Sequence, residues 1–315
     1  MRIIRKTPQV FLSGGLGNQL FQLAAALANS SGPIILNGSL GYPRSDAHNA
    51  PDLMKFVLPS RAKIINFRDY PVVVRNISNF LLRASSSSKM KPNHLKRKII
   101  VLTGGSILSF YFREFKKVCL AHGTGLCEVG SLTESSLLFG FFHTCVFPKR
   151  LNQTRDDLRN IHLSRPSQEL SSLIKSISHQ KILVVHIRLG DYAKEPQLGI
   201  LPPTYFADAI EKAFNENDYD VIWIFSASPE LAMHYVPKTY HPKTKMMEGT
   251  LKEPAETLEL MRYGDGFILS NSTFSWWGAF LSYKKNPRIY APKPWFKSAT
   301  NPLSIIPDEW GTIEW

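Results

Sequence analysis

The second half of the chain alternates apolar runs with amphipathic segments, and this alternation constrains the fold more than any other feature. The runs KILVVHIR (181–188), DVIWIFSAS (220–228) and GFILSNS (266–272) have the character of buried strands, and segments with helical spacing of apolar residues separate them. Strands that alternate with helices form a parallel sheet covered on both faces. The pattern predicts an α/β domain over residues 151–315.

The start of the chain shows the same alternation of strands and helices. Residues 8–12 predict a short buried strand, GGLGN (14–18) predicts a loop, and the apolar spacing that follows predicts a helix ending at Gly32. Residues 33–37 predict a second strand. This order of strand, glycine loop, helix and strand opens an α/β domain, which we expect over residues 1–150.

The middle of the chain has a less regular pattern. Residues 85–98 are polar and basic, and Pro92 interrupts them, which predicts an exposed loop. The apolar runs IIVLTGG (99–105) and ILSFYF (107–112) predict strands. The run LLFGFFHTCVF (137–147) predicts a strand that crosses between the two domains.

The chain is basic, and the excess charge is concentrated in one segment. Among the 315 residues, 38 are Lys or Arg and 25 are Asp or Glu, which gives a net charge of +13. Nine of these cations and a single acid lie between Arg83 and Lys117. Such charge suits nucleic acid, an anionic membrane or a phosphorylated small molecule. The segment has no pattern of a known nucleic-acid-binding motif, so we expect no nucleic-acid partner. A basic nucleic-acid-binding protein that uses residues 83–117 is the alternative from a different functional class, and it predicts salt-sensitive binding to DNA or RNA.

Other classes are excluded by cysteine usage and by the length of the apolar runs. Cys119, Cys127 and Cys145 are odd in number and form no CxxC pair, which argues against a disulfide framework and against a zinc site. No run is long enough to span a membrane. The N-terminal apolar patch, residues 10–12, is too short for a signal peptide, so we expect a cytoplasmic protein.

The first candidate site is the glycine loop between the first strand and the first helix. Gly14, Gly15 and Gly17 allow a ligand to approach the backbone closely, and Asn18 and Gln19 follow them at the start of the helix. The loop matches neither the dinucleotide fingerprint nor the Walker loop, which argues against a dehydrogenase and against a P-loop enzyme. The alternative is a tight turn without a ligand, in which Asn18 caps the helix.

The second candidate site follows the strand KILVV. His186 and Arg188 are two residues apart, so they project to the same side of an extended chain, and Asp191 comes soon after. Ligands of open α/β sheets bind at the carboxyl ends of the strands, and Arg beside His suits phosphate oxygens. The alternative is an Arg188–Asp191 ion pair that stabilises a turn.

The third candidate site, residues 270–279, again joins a strand to a helix. It has four hydroxyl side chains and one amide where the unpaired N–H groups of the helix emerge, which suits a diphosphate. The simpler alternative is an ordinary N-cap, with Trp276 and Trp277 in the core.

These motifs, in this order, resemble the bacterial α-1,2-fucosyltransferases of glycosyltransferase family 11. The matching segments are GGLGNQLFQ (14–22), HIRLGDY (186–192), NSTFSWWGA (271–279) and APKPWF (291–296), and GFFHT (140–144) is a looser match. The resemblance implies a GT-B-type fold, with two Rossmann-like domains facing a cleft. Residues 1–150 would be the acceptor-side domain and residues 151–315 the GDP-sugar-binding domain.

The resemblance also implies an activity. GDP-fucose would be the donor, no metal would be required, and fucose would be transferred with inversion to the 2-hydroxyl of a galactoside, as in O-antigen biosynthesis. His186 and Arg188 would contact the diphosphate and, with Asp191, form the catalytic group. The loop Gly14–Gln19 would border the cleft. The donor cradle would comprise Asn271, Ser272, Thr273, Phe274 and Ser275.

The chain departs from the family pattern at three places. Leu189 occupies the position of a second Arg, and Ser-Ala-Ser (226–228) replaces Ser-Asp-Asp. Thr257 occupies the position of an Asp that would contact guanine, and the neighbouring Glu256 is the candidate substitute. These changes leave another GDP-sugar open as the donor. For the acceptor hydroxyl, Asp191 as general base and a dissociative route without a base both stay open.

The basic segment lies outside all three motifs. We expect it to contact the anionic inner face of the membrane, where a galactose-terminated acceptor, free or lipid-linked, would be found.

Overall fold

The computed structural model describes residues 7–38, 51–65, 72–86, 95–112, 117–121, 136–177, 179–189, 195–247 and 253–315. The chain divides into two compact units. The N-terminal unit is Met1–His162 with Pro302–Ile305, and the C-terminal unit is Leu163–Asn301 with Ile306–Trp315. Each unit is an α/β structure whose main sheet has only parallel neighbours among the described strands, which is the class of fold that the sequence predicts.

The N-terminal unit is built on a five-stranded sheet with the order β4-β2-β1-β6-β5. The chain runs outward from β1 to one edge and then returns to the other side of β1, so the strand order reverses between β1 and β6. The described strands are β1 (Gln9–Phe11), β2 (Ile34–Asn37), β3 (Phe56–Val57), β4 (Ala62–Ile65), β5 (Lys117–Leu120) and β6 (Ser136–Phe139). The described helices are α1 (Leu16–Asn29), α2 (Val72–Ser86), α3 (Leu95–Tyr111), α4 (Val146–Lys149) and α5 (Asn152–Arg159), with a 3-10 helix at Asp52–Lys55.

The region after β4 is helical where the sequence predicted strands. Residues 99–105 and 107–112 belong to α3 or its end, and the predicted loop 85–98 overlaps the ends of α2 and α3, with residues 87–94 outside the described ones. The prediction failed because α3 is apolar on two opposite faces, and a short apolar run does not distinguish a buried strand from a helix. Gly104 allows α3 to pack closely on α2, since a Cβ there would lie 3.0 Å from Leu81.

The run 137–147, predicted as one strand, contains β6, a bend and α4. Gly140 has φ 141° and Phe142 has φ 56°, so the backbone cannot continue in an extended conformation. A Cβ at Gly140 would lie 2.1 Å from the Ala121 Cβ, which excludes any other residue type there without rearrangement. The chain therefore turns at the carboxyl edge of the sheet and stays in the N-terminal unit.

The C-terminal unit is built on a six-stranded sheet with the order β10-β9-β8-β11-β12-β13. When the six strands of this sheet are numbered along the chain, this is the doubly wound order 3-2-1-4-5-6, and it reverses between β8 and β11. The strands are β7 (His162–Leu163), which spans the division between the units, and β8 (Ile182–His186), β9 (Val221–Phe225), β10 (Thr244–Met246), β11 (Gly266–Ile268), β12 (Arg288–Lys293) and β13 (Gly311–Glu314).

Helices connect the successive strands of this unit from β7 to β12, as the sequence pattern predicts. They are α6 (Gln168–Ser176), α7 (Pro203–Glu216), α8 (Pro229–Ala232), α9 (Pro254–Met261) and α10 (Thr273–Phe280), with 3-10 helices at Met233–Tyr235 and Lys238–Lys243. Trp276 and Trp277 are fully buried, and Trp276 stacks on Phe280 with ring centroids 4.9 Å apart. Both tryptophans belong to the core, which anchors the first turn of α10. No described helix is both long and apolar enough to cross a membrane.

Candidate active site

The second and third sequence motifs meet where the strand order of the C-terminal unit reverses. His186 is the last residue of β8, and β11 lies beside β8 with Ile268 opposite Val185. Residues 270–272 follow β11 directly and lead into α10. The topology thus brings together polar residues that are more than 80 positions apart in the sequence. Ligands of doubly wound sheets bind in the crevice at this point.

A chain of hydrogen bonds joins the two motifs. The Ser270 hydroxyl donates to the His186 carbonyl at 2.5 Å and accepts from the Arg188 backbone N–H at 3.0 Å. The Arg188 guanidinium donates through Nη1 to the Ser272 Oγ at 3.1 Å. Arg188 is half-buried, so its charge is held at the carboxyl edge of the sheet with part of it open to solvent.

Ser272 also caps α10. Its Oγ accepts from the Phe274 backbone N–H at 3.3 Å, and the helix begins at Thr273. The first turn of a helix carries a partial positive charge, and Arg188 adds a full one beside it. Thr273 and Phe274 are half-buried in this turn. The arrangement is suited to an anion with several oxygens.

Two predicted cradle residues use their side chains inside the protein. Asn271 is buried and donates through Nδ2 to the carbonyls of Leu198 and Gly199, at 2.9 and 3.0 Å. The buried Ser275 hydroxyl donates to the Ser272 carbonyl at 3.2 Å. Their side chains therefore shape the loop, and a direct role for them stays a prediction.

His186 and Glu256 lie at the same edge of the sheet. The His186 side chain is 9% exposed, and its ring centroid lies 6.1 Å from that of Phe274. Glu256 stands in the first turn of α9, and its carboxylate accepts from the Ser167 backbone N–H at 2.6 Å. The Glu256 Oε1 thus anchors the start of α6, and the contact of Glu256 with guanine stays a prediction. The third predicted catalytic residue, Asp191, lies outside the described residues.

The burial of Leu189 explains why this position does not hold the second arginine of the family pattern. The side chain of this residue is 8% exposed and packs in the same core cluster as Val185 and Ile187. An arginine there would bury a charge in apolar surroundings. Arg188 is therefore the cation that this strand presents to the site.

The first motif lies at the corresponding point of the N-terminal unit, where the strand order reverses between β1 and β6. The buried Gln22 side chain joins the two strand ends: its Oε1 accepts from the Ser13 N–H at 3.0 Å, and its Nε2 donates to the Gly140 carbonyl at 2.9 Å. Gln22 belongs to the sequence motif, but the motif by itself predicts no role for this side chain. A buried amide that bridges two strand ends has no signal in a single sequence.

Asn18 in this motif contacts His143, which follows β6. The Asn18 Oδ1 lies 2.9 Å from the His143 Nε2. His143 is 7% exposed and packs between Phe21 and Phe141, with ring centroids 5.3 and 5.4 Å away. Burial lowers the pKa of His143 to about 3, so the imidazole is neutral.

The orientation of the Asn18 amide follows from these contacts. The His143 Nδ1 has no hydrogen-bond partner in the described part of the chain. Because buried N–H groups without acceptors are rare, the proton belongs on Nε2, which donates to Asn18 Oδ1. Gly14 has φ 73°, and a Cβ there would lie 2.3 Å from Asn18 Nδ2, so the amide nitrogen lies over a glycine that cannot be replaced. Asn18 is half-buried and its side chain is fixed.

The other residues of the glycine loop support this geometry. Gly15 is the exposed N-cap of α1, which excludes Asn18 as the cap, and Gly17 is buried. Gln19 donates to the Gly14 carbonyl at 3.0 Å and accepts from the Leu53 N–H at 3.2 Å. The hydrogen bonds of Gln19 thus fix the loop from its buried side. Gly15 and Asn18 form the outer side of the loop.

No group of three or more His, Cys, Asp or Glu within the described ranges is placed to hold a metal ion.

Comparison with known proteins identifies the family. The family model described as Glycosyl transferase family 11 matches residues 129–313, which is more than half of the chain. The chain belongs to glycosyltransferase family 11. The resemblance seen in the motifs is therefore confirmed.

Two curated relatives, both from Escherichia coli, match almost the whole chain. One is an alpha-1,2-colitosyltransferase, 26% identical over 96% of this chain and 97% of that protein. The other is the O-antigen biosynthesis glycosyltransferase WbnK, 26% identical over 95% of this chain and 98% of that protein.

Among solved structures, the fucosyltransferase NodZ from Bradyrhizobium aligns with a TM-score of 0.46 and 15% identity, over 90% of this chain and 94% of that one. The structure of POFUT1 in complex with GDP-fucose aligns with a TM-score of 0.45 and 12% identity, over 90% and 97%.

Proposed function

We propose that this family 11 glycosyltransferase is a GT-B-type enzyme that transfers fucose from GDP-fucose to the 2-hydroxyl of a galactoside, with inversion at the anomeric carbon. The observation that carries the proposal is the Arg188–Ser272 hydrogen bond at the start of α10. It fixes one cation and a helix N-terminus at the crevice where a nucleotide diphosphate binds in a doubly wound sheet.

The C-terminal unit holds the donor in this proposal, and the N-terminal unit holds the acceptor through the loop Gly14–Gln19. In the transfer, the acceptor hydroxyl oxygen forms a bond to the anomeric carbon of the sugar, and the bond from that carbon to the β-phosphate oxygen breaks, so negative charge grows on the leaving diphosphate. Arg188 and the amides of the first turn of α10 are fixed before the reaction and stabilise that charge. Because these groups supply the positive charge, the proposal requires no metal ion and no other cofactor.

Two routes exist for the proton of the acceptor hydroxyl. In one, Asp191 accepts the proton as the sugar carbon is attacked. In the other, the donor bond breaks first and the hydroxyl loses its proton late, without a base. Kinetics of Asp191→Asn separate them: a large loss of kcat with unchanged thermal stability favours the base, and unchanged kcat favours the second route.

A second donor is favoured by one relative. Colitose is fucose without its 3-hydroxyl, and the relative that matches 96% of this chain is an alpha-1,2-colitosyltransferase. The α-1,2 linkage is common to both reactions, and the proposed role of Arg188 at the diphosphate would serve either donor. GDP-colitose is therefore the second candidate donor.

For the acceptor, we propose a galactose-terminated glycan of an O-antigen, made on a lipid carrier at the cytoplasmic face of the inner membrane. The name of WbnK, which matches 95% of this chain, supports the O-antigen context.

The deciding experiment is product analysis with purified protein. GDP-fucose, GDP-colitose and GDP-mannose are offered separately with a panel of β-galactosides, with a chelator present, and products are identified by mass spectrometry and NMR. The proposal expects an α-1,2-fucosylated product. Exclusive use of GDP-colitose would favour the second candidate, and transfer only from GDP-mannose or to another hydroxyl would contradict both.

A further inference from the structure

The outer side of α2 and α3 exposes an unusual amount of apolar surface. Of the sixteen large hydrophobic residues that are exposed in the described part of the chain, nine lie on these two helices. The other seven are scattered over the rest of the described residues, as is normal for a soluble protein. A cluster of this kind marks an interaction surface.

Four of the exposed apolar residues of α3 form a single stripe. Leu95, Ile99, Leu102 and Phe110 are 70%, 52%, 70% and 87% exposed, and with Ser106 they occupy the spacing i, i+4, i+7, i+11 and i+15. Residues at this spacing lie on one face of a helix.

The opposite face of α3 packs on the N-terminal unit. Gly104 and Leu108 are buried there, and Leu108 belongs to the same core cluster as Leu81 of α2 and Phe139 of β6. A surface helix of a soluble protein buries its apolar face and turns its polar face outward. In α3 the buried and the outward faces are both apolar.

On the neighbouring helix α2, further apolar residues are exposed. Val72, Val73 and Phe80 are 59%, 62% and 55% exposed, and α2 packs against α3 at Leu81 and Gly104. We define the docking face as the exposed residues of α2 and α3.

The charges on the docking face all have one sign. Neither α2 nor α3 contains Asp or Glu. Lys96 and Lys98 are exposed on the two sides of the α3 stripe, and Arg75 and Arg83 are exposed on α2. Arg97 does not belong to the face, because it is buried and donates to the carbonyls of Leu120 and Ala121 at 2.9 and 2.6 Å.

We propose that the docking face binds the surface of an anionic lipid bilayer. The α3 stripe lies in the plane of the membrane at the boundary between headgroups and acyl chains, and Lys96 and Lys98 contact lipid phosphates on either side of it. An apolar stripe flanked by cations and free of acids is the pattern of interfacial helices. α3, with its 17 residues, is covered on one side by the protein core and lies on the membrane rather than across it.

Charge also argues against a second copy of this chain as the occupant. Two docking faces brought together would place the cations of α2 and α3 against each other, and neither helix contains an acid, which is unfavourable at a dry interface. An anionic bilayer presents negative charge to the whole face. The inference does not rest on the donor sugar or on the linkage, and it would bring the enzyme to a lipid-linked acceptor.

The test is co-sedimentation of the full chain with vesicles of phosphatidylcholine, alone or mixed with phosphatidylglycerol. We expect binding to the mixed vesicles at least tenfold stronger than to the neutral ones, weakening with salt. The variant I99S/F110S is expected to lose most of the binding, and K96Q/K98Q is expected to lose its dependence on phosphatidylglycerol. All of these residues are exposed, so circular dichroism and thermal unfolding should be unchanged.

Matched controls lie in the C-terminal unit. Leu231 is 57% exposed on α8, and Leu231→Ser should bind as the wild type does. The same holds for K245Q/K285Q, which removes two exposed lysines elsewhere. The proposal is wrong if the wild type binds neither vesicle, or if the controls weaken binding as much as the docking-face variants. It is also wrong if sedimentation velocity without lipid shows a dimer that I99S/F110S dissociates, since the face would then bind a second copy.

Discussion

The two units place polar side chains at the same topological point, yet the chemistry of the two points differs. In the C-terminal unit, Arg188 and the capped start of α10 present positive charge. In the N-terminal unit, Asn18 and His143 present a neutral amide held by a neutral imidazole. The same fold position therefore suits an anion in one unit and an uncharged group in the other. In the proposed function, this difference supports GDP binding to the C-terminal unit and binding of a sugar hydroxyl to the N-terminal unit.

Removal of the Arg188 cation is the strongest test of this difference between the two units. Arg188→Ala should lower kcat by about 10²-fold or more, because it removes a preorganised group that stabilises the leaving diphosphate. Steady-state kinetics with GDP-fucose measures the effect. Arg165→Ala, a change at an exposed arginine of the same unit, is the control. Activity of Arg188→Ala within a few-fold of the wild type would remove Arg188 from the mechanism.

A substitution at Ser272, the N-cap of α10, tests whether this residue contributes to catalysis as well as to stability. Ser272→Ala removes both the N-cap and the Arg188 partner, and we expect it to cost about 1 kcal/mol of stability and about tenfold in kcat. Ser167 caps α6 by accepting from the Leu170 N–H at 3.1 Å, so Ser167→Ala should cost similar stability without loss of kcat. Chemical denaturation and kinetics of both variants check this. Equal kinetic losses would mean that Ser272 acts only as a cap.

Substitutions of His143 test the role of the uncharged Asn18–His143 pair in the N-terminal unit. His143→Phe keeps a buried ring but loses the hydrogen bond to Asn18, so we expect kcat/KM for the acceptor to fall roughly tenfold while KM for the donor stays unchanged. His143→Gln retains a side-chain N–H donor and should recover part of the loss. A rise in donor KM, with acceptor kinetics unchanged, would reverse the assignment of the two units.

The smallest effect concerns acid stability. The unfolded chain protonates His143 near pH 6.5, whereas the folded chain does so only near pH 3. Between these values the unfolded state binds more protons, so this residue lowers the free energy of unfolding by up to about 1.4 kcal/mol for each pH unit of acidification. Above pH 6.5 the contribution is constant. Urea denaturation between pH 5 and 8 should show a shallower slope for His143→Gln, and an unchanged slope would show that His143 titrates normally.

Local patterns predicted the C-terminal unit well and the middle of the chain poorly. The strand KILVV and the strand before Ser270 were predictable because buried parallel strands are short, apolar and bounded by helices. α3 was predicted as strands because its outward face is as apolar as its buried one, which removes the helical period. An exposed apolar face of a helix cannot be distinguished from a core face by its sequence.

The sequence by itself determined the α/β class, the family and the candidate residues Arg188, Ser272 and Asn18, since each lies in a motif at a strand end. Only the tertiary structure decided which residues are partners. Strand order brings His143 to Asn18 across 125 positions and Ser272 to Arg188 across 84. The tertiary structure also shows that Asn271 and Glu256 hydrogen-bond to other parts of their own unit. The physical reason is that a motif records local spacing, whereas side-chain contacts and burial depend on which strands become neighbours.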